Sequence, residues 1–176
     1  MSTSEGPITL KEVQLRLAVP QHVLIHLCEK RVVEPDFAET AGRGKRREFS
    51  ERNVFEFGVA LALRRFELPV STTGLVIRVL RGFARSLGRA VPNLEFPRSL
   101  AEGRLGLELL VYEGDQLVLV GSGPSFGRQL LLGARIGAAV RGADATPRVA
   151  KLDGLPEQYE ARLQVDLCEI ARKVLK

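Results

Sequence analysis

The sequence predicts an α+β fold, with a mainly helical first half that contains one β-hairpin and a smaller second half of strands and helices. Apolar residues recur at helical spacing in the first half, whereas residues 107–120 read as two strands around a Glu-Gly-Asp turn. Pro92 and Pro97 interrupt any helix between the two halves. We therefore expect a domain at 1–90, a linker at 91–103 and a small α+β module at 104–176.

Charge divides the chain in the same way. Its 176 residues carry a formal net charge of +5, and 45% of them are hydrophobic, which is ordinary for a globular protein with a sizeable core. Residues 1–90 contain 15 Lys and Arg against 10 Asp and Glu, whereas residues 91–176 contain 11 of each. The basic excess of the first half predicts a polyanion as its partner, and the second half is neutral.

Cysteine usage and the terminal sequence predict a cytoplasmic protein. Cys28 and Cys168 lie far apart without metal-ligand spacing, so we expect two buried thiols in a reducing compartment. No apolar run approaches the roughly 18 residues of a membrane span. The first residues, Met-Ser-Thr-Ser-Glu-Gly-Pro, lack the pattern of a signal peptide.

Two short helices open the first domain. Thr9 and Glu12 fit a capping box, with Thr9 at the N-cap of helix one. After a break at 18–19, Pro20 suits the first position of a second helix that runs to about Lys30. Two helices separated by a tight turn predict a helix-turn-helix, whose second helix presents its first residues to the DNA major groove.

The second helix supplies candidate base readers. Leu24 and Leu27 belong to its inner face, which leaves Gln21, His22 and His26 for other sides. The amide of Gln21 can donate to and accept from an adenine edge. Simple solvent exposure at a helix start is the alternative for Gln21 and His22, and His26 fits a packed or partly buried histidine better than a ligand.

A basic stretch follows at residues 42–49, called here the basic segment. Cations between glycines suit phosphates, which attract them and release condensed counterions, although runs of charge also occur as solvated loops. With the extended residues 32–35 before it and residues 47–49 returning as a strand, the segment predicts a β-hairpin wing. Its cations are Arg43, Lys45, Arg46 and Arg47.

Two longer helices complete the first domain. Ser50 and Asn53 open the third helix, which ends at Arg64-Arg65 and carries apolar residues as far as Phe66. The fourth begins near Ser71-Thr72 after Pro69. Its inward residues are Leu75, Val76, Val79, Leu80 and Phe83, and its arginines at 78, 81, 85 and 89 lie outward, where most of them are predicted to form a solvated face.

Residues 8–83 resemble the winged helix-turn-helix of the MerR family of bacterial transcription regulators. The order of elements agrees, and Arg31-Val32-Val33-Glu34-Pro35 stands where that family has Gly-Leu-hydrophobic-x-Pro. Arg47-Glu48-Phe49-Ser50 matches the family's Arg-x-Tyr/Phe-Ser/Thr element. Helix two departs from the pattern, because residues 23–28 lack the arginine and aromatic residues that contact phosphates in the family. The basic segment would then carry more of the binding.

The resemblance implies a transcription regulator that reads a two-fold operator in double-stranded DNA through helix 20–30 and the basic segment. It also implies a homodimer and contact with RNA polymerase. Because the family's long dimerisation helix is not evident, we expect residues 104–176 to supply the dimer contact or to bind an effector. The candidate DNA-binding residues are Gln21, His22, His26, Arg43, Lys45, Arg46, Arg47 and Arg52.

Two other classes of function fit the same features. A winged adaptor would bind a protein partner through this domain, and the altered helix two favours that reading. An architectural, excisionase-like protein would bend DNA without regulating a promoter. No Ser/His/Asp set or metal-ligand cluster can be assembled from the sequence. We expect neither enzymatic activity nor a cofactor, a metal site or membrane association.

The second module is predicted in less detail. Residues 107–111 and 117–120 form the expected hairpin, and the Gly-rich stretch 121–127 lacks the Gly-Lys-Ser/Thr of a phosphate-binding loop. Residues 128–142 fit either a strand or a buried helix, because the glycines at 133 and 137 weaken a helix. Residues 163–167 predict a strand, followed by a short helix from Cys168 to Lys176.

Overall fold

The chain folds into helices and antiparallel sheets, which confirms the predicted α+β class. The computed structural model describes residues 6–37, 47–112, 116–123, 130–135, 149–155, 157 and 160–176. In chain order the elements are β1 (Ile8–Thr9), α1 (Leu10–Leu17), α2 (Gln21–Glu29), β2 (Glu48–Phe49), α3 (Glu51–Arg64), α4 (Val70–Ala90), α5 (Arg98–Ala101), β3 (Gly106–Tyr112), β4 (Gln116–Ser122), β5 (Leu130–Arg135), β6 (Ala150–Lys151), β7 (Arg162–Asp166) and α6 (Leu167–Val174).

The first two helices begin and end at residues suited to those positions. The capping box is confirmed: Thr9 Oγ1 accepts a hydrogen bond from Glu12 N at 3.3 Å, and the Glu12 carboxylate accepts one from Thr9 N at 2.7 Å. Ala18 ends α1 in the left-handed conformation, with φ of 51°. Pro20 is the N-cap of α2, one residue before the predicted position inside the helix.

The strand pairing of the first domain differs from the predicted hairpin. β2 pairs antiparallel with β1, which the sequence did not indicate, with Ile8 opposite Phe49. The expectation of an extended piece at 32–35 is wrong at its start, because Val32 and Val33 lie in a bend and are buried. Among the residues that the structure describes here, an isolated antiparallel bridge joins Phe37 to Glu48. The tip of the predicted wing, residues 38–46, lies outside the described residues.

The third and fourth helices agree closely with their predicted bounds. Ser50 and Asn53 form a second capping box at the start of α3, and α4 starts at Val70. All five residues predicted to point inward from α4 are buried. Phe66 lies beyond the end of α3, and 60% of it is exposed. The periodicity therefore located the helices correctly but did not show where the apolar face of α3 stops.

The stretch predicted as a linker is packed against the rest of the protein. It contains α5, and Pro97, Ser99 and Leu100 are buried. The rings of Phe55 and Phe96 meet edge to face with centroids 5.2 Å apart. Residues 91–103 therefore form part of the contact between the two halves.

The second half is built on a five-stranded antiparallel sheet with strand order β6-β5-β4-β3-β7. The predicted hairpin is confirmed, with β3 and β4 in register from Gly106 opposite Ser122 to Tyr112 opposite Gln116. The open question at 128–142 resolves to a strand for residues 130–135, and the remainder of that stretch lies outside the described residues. The final strand and helix are also confirmed as β7 and α6.

One apolar cluster runs through both halves. It includes Val13 of α1, Phe57 of α3, Leu109 of β3 and Val174 of α6, all of them buried. A smaller cluster of Leu110, Tyr112 and Val118 forms apart from it in β3 and β4. None of the helices in the described ranges is long and apolar enough to cross a membrane.

The contact between α3 and α6 gives a test of this shared core. A Cβ at Gly58 would lie 2.8 Å from Ile170 Cγ2 and 3.1 Å from Val174 Cγ1, whereas one at Gly88 of α4 meets nothing within 4 Å. Both sites are helical, so alanine brings the same gain in helix propensity at each. We expect Gly58→Ala to be less stable than Gly88→Ala by about 1–3 kcal/mol, because the overpacked helices must shift.

Urea denaturation of the two variants and the wild type measures this difference. Equal unfolding midpoints for Gly58→Ala and Gly88→Ala would show that α6 does not press on α3 as described.

Candidate nucleic-acid interface

The turn between α1 and α2 determines which side of α2 faces solvent. The left-handed Ala18 and the extended Pro20 reverse the chain over three residues. Val13 of α1 and Leu24 and Leu27 of α2 are buried in the main core. Because helical side chains three and four residues apart share a face, the opposite side of α2 remains outside the core.

Three of the predicted DNA-binding residues are exposed on α2. Gln21, His22 and His26 are all exposed, with His22 and His26 one turn apart. The expectation that His26 is packed or partly buried is wrong, because it lies on the side opposite Leu24 and Leu27. Gln21 is exposed in the first turn, but it stands three residues before the buried Leu24 and so belongs to the flank of α2 and not to the side of the two imidazoles.

The start of α2 adds backbone donors to this surface. Pro20 makes no side-chain cap hydrogen bond, and the first turn contains no acidic residue. The first N–H groups of a helix lack intrahelical partners, and the helix dipole places partial positive charge there. This end of α2 is therefore electrostatically suited to an anion, as helix starts that contact phosphate are.

The strand β2, at the end of the basic segment, is packed into the core. Phe49 of β2 is fully buried and meets Phe57 edge to face at a centroid distance of 5.4 Å. Arg47, next to this strand, is partly buried. Arg43, Lys45 and Arg46 lie outside the described residues. The structure therefore describes the contacts of the residues on either side of these three cations.

Asn53 holds both ends of that stretch together. Its Oδ1 accepts hydrogen bonds from Asp36 N at 2.8 Å and from Ser50 N at 3.2 Å. Its Nδ2 donates to Glu34 O at 2.9 Å and to Glu56 Oε2 at 3.2 Å. The fully buried amide therefore uses both of its donor hydrogens and accepts two bonds, which offsets the cost of removing it from water.

A buried ion pair lies beside Asn53. Glu56 is only 2% exposed, and it accepts two hydrogen bonds from Arg81, from Nε at 2.6 Å and from Nη2 at 2.7 Å. The hydrogen bond to Glu56 raises the pKa of Arg81, and burial opposes that rise only in part. Arg81 also donates to Glu34 O at 3.2 Å. The prediction that most arginines of α4 form a solvated face is confirmed, because Arg78, Arg85 and Arg89 are exposed. Arg81 is the exception, since it is only partly exposed and paired with Glu56.

Arg52 is engaged within the protein. Its side chain is 46% exposed, its Nη2 contacts Asp36 Oδ1, and its Nε lies 4.0 Å from Glu56 Oε1. The Asp36 carboxylate also accepts a hydrogen bond from Ser50 Oγ. This predicted DNA-binding residue therefore supports the loop before the basic segment, and its charge is already partly neutralised.

Sequence reasoning missed most of this polar cluster. Glu34, Asp36, Asn53, Glu56 and Arg81 come from three separate stretches of the chain, and only the capping role of Asn53 was predicted. One local signal was present, because Glu56 interrupts the apolar run of α3 between two phenylalanines that are fully buried. A charge in such a run requires a buried partner. The sequence does not show which arginine supplies it.

Neither a metal site among the residues described nor a similarity to known proteins adds to this description of the surface. Within the described parts of the chain, no group of three or more His, Cys, Asp or Glu side chains is placed to hold a metal ion. Searches against protein-family models and against curated proteins found no significant match.

The Glu56–Arg81 pair gives a second prediction. Replacing Arg81 by alanine leaves a buried carboxylate without its main partner, so we expect a loss of about 2–3 kcal/mol in unfolding free energy. This value is lower than that for a fully buried pair because Arg81 is about a quarter exposed and solvent screens its charge. Arg85→Ala, one turn further along α4, removes an exposed arginine and should change stability by less than about 0.5 kcal/mol.

A double-mutant cycle with Glu56→Leu isolates the coupling between the two side chains. Strictly additive losses for Glu56→Leu and Arg81→Ala in denaturant titrations would contradict the pair.

Proposed function

We propose that this chain is a DNA-binding transcription regulator whose first domain is a winged helix-turn-helix similar to that of the MerR family. The exposed residues of α2 carry the proposal: Gln21, His22 and His26 are all accessible, beside a helix start that lacks a side-chain cap. An exposed amide and imidazoles on a short helix are suited to hydrogen bonding with base edges.

The basic segment would contact the phosphates next to that groove. Asn53 fixes the two backbone positions Asp36 and Ser50 on either side of the stretch that contains the segment. The cations of the segment would then reach the DNA from a fixed base, so that less entropy is lost on binding. Under this proposal Arg52 positions that base through Asp36 and does not itself contact DNA.

The size of α2 bears on the oligomeric state. A helix of nine residues covers few base pairs, so a useful degree of specificity requires two copies on a two-fold operator. We therefore include a homodimer in the proposal, with RNA polymerase as a further partner of the regulator.

The salt dependence of binding tests the basic segment. Each cation that neutralises a phosphate contributes roughly 0.9 to the slope of log affinity against log salt concentration. We expect the full-length variant Arg46→Ala/Arg47→Ala to bind a random-sequence duplex with a slope shallower by up to about 1.8. Fluorescence anisotropy titrations at several salt concentrations measure it.

A matched variant removes the same charge elsewhere. Lys151 and Lys176 are exposed in the second half, and Lys151→Ala/Lys176→Ala should leave the slope unchanged. If the two double variants shift the slope equally, net charge alone explains the effect, and the basic segment has no special role.

Gln21 gives a test of base reading. Selection of bound duplexes from a random pool should return two half-sites, whose spacing reports the dimer. Gln21→Ala removes an amide that can pair with adenine, so we expect about 1–3 kcal/mol less discrimination at one base pair of each half-site and little loss of nonspecific binding. His22→Ala serves as the neighbouring comparison.

A consensus that is identical for the wild type and Gln21→Ala would remove Gln21 from the interface. Failure to enrich any sequence would instead favour the architectural, excisionase-like alternative.

One observation favours a protein-binding adaptor as the second candidate function. Leu15 of α1 is 71% exposed, and Phe66 after α3 is 60% exposed. An open cleft of about 360 Å³ between α1, α3 and α6 combines apolar lining with the cations Arg16, Arg65 and Lys173. An adaptor would bind an acidic, partly apolar surface there and would show no salt-dependent retention on duplex DNA.

A further inference from the structure

The last strand of the five-stranded sheet has an open edge. β7 pairs with β3 along one side, from Glu108 opposite Asp166 to Tyr112 opposite Arg162. Among the described residues, no strand lies on its other side, and β7 is the terminal member of the sheet order. An edge strand presents unpaired N–H and C=O groups that can bind another strand.

Within the described ranges, this edge has only part of the protection that is usual for sheet edges. Natural sheets protect their edges with proline, bulges, very short strands, charged side chains or a covering helix or loop, and β7 has the charges of Arg162 and Asp166. β7 has five residues without proline, and its inward residues Leu163 and Val165 are apolar. β6, at the opposite edge, has only two residues. The sheet therefore leaves one of its two edges suited to strand addition.

The sequence of β7 is complementary to itself in the antiparallel direction. If two copies pair about a two-fold axis at Gln164, Arg162 of each copy faces Asp166 of the other, and Leu163 faces Val165. Arg162, Gln164 and Asp166 are all exposed in the single chain. Opposite charges directly across an antiparallel pair are favourable, and the symmetry produces the Arg162–Asp166 contact twice.

We infer that β7 is a dimerisation edge, through which two copies of this chain join their sheets into one ten-stranded antiparallel sheet centred on Gln164. We assign a second copy of the chain to this edge because the residues of β7 are complementary to β7 itself. A displacement of one residue would place Leu163 and Val165 on the wrong face, and a displacement of two residues would remove the Arg162–Asp166 pairing. The inference requires no DNA and stands independently of the proposed function.

The remaining contacts of these side chains permit this pairing. Arg162 forms no ion pair in the described part of the chain, so it is available to a partner. The Asp166 carboxylate accepts a hydrogen bond from Glu169 N at 2.9 Å as the cap of α6 and retains further lone pairs. Gln164 Nε2 donates to Glu108 Oε2 at 2.9 Å on the same face of the sheet.

Disulfide cross-linking through an introduced cysteine tests the register without DNA. In a Cys28→Ser background, Gln164→Cys places two thiols across the two-fold axis with Cβ atoms roughly 4.5–5.5 Å apart, close to the separation of a disulfide. Arg162→Cys places its two copies four residues apart along the strands, at roughly 13 Å. We expect disulfide-linked dimer from Gln164→Cys with oxidised glutathione as the oxidant, and none from Arg162→Cys.

The background thiol is suited to this experiment. Cys168 is buried, and its burial raises the pKa of the thiol, so it reacts slowly under the same conditions. Thermal unfolding of each variant checks that it folds as the wild type does. Equal cross-linking of Gln164→Cys and Arg162→Cys, or none from either in folded protein, would overturn the inference.

Charge reversal supplies a second readout. Arg162→Glu faces Asp166 of the other copy with a like charge at two symmetric positions, so cross-linking of Gln164→Cys should slow by roughly tenfold. Arg135→Glu reverses an exposed charge on β5 of the same sheet and should leave the rate unchanged. Equal rates for the two charge-reversed proteins would show that Arg162 does not face a carboxylate.

Discussion

The buried pair of Glu56 and Arg81 joins α3, α4 and the loop before the basic segment. An ionised carboxylate that is 2% exposed is stable only with a partner and further hydrogen bonds, and Arg81 and Asn53 supply both. Asn53 then binds the backbone at Asp36 and Ser50. A single buried cluster therefore fixes the two places between which the basic segment lies. The orientation of any contact that the segment makes depends on that cluster.

The two halves of the chain share one hydrophobic core, so the stability of each half depends on the other. α6 packs on α3 at Gly58, and Arg98 of α5 forms a bidentate contact with Glu51 at the start of α3, at 2.6 and 3.2 Å. These contacts bring the last helix of the chain against the helix that carries Asn53 and Glu56. Changes in the second half can therefore alter the stability of the first, and the surface of α2 is best studied in the full-length chain.

The two candidate surfaces have different physical requirements. The exposed side of α2 offers polar side chains and helix-start N–H groups, which favour a charged and hydrogen-bonding partner. The edge of β7 offers backbone groups and a self-complementary charge pattern, which favour a second copy of the same strand. The exposed surface of α2 is therefore suited to a polyanion, and the edge of β7 is suited to a symmetric contact with a second copy of the chain. A dimer formed through β7 would supply the two copies of α2 that a two-fold operator requires.

Local sequence determined the parts of this protein that depend on neighbouring residues. The capping boxes at Thr9 and Ser50, the inward face of α4 and the β3–β4 hairpin all follow from patterns within a few residues, and the structure confirms them. Only the tertiary structure decided the pairing of β1 with β2, the exposure of His26 and the pairing of Arg81 with the buried Glu56. Those outcomes depend on groups brought together from distant positions, such as Glu56 and Arg81, 25 residues apart. Periodicity shows which face of a helix is apolar, but it does not show which charges meet once those faces have packed.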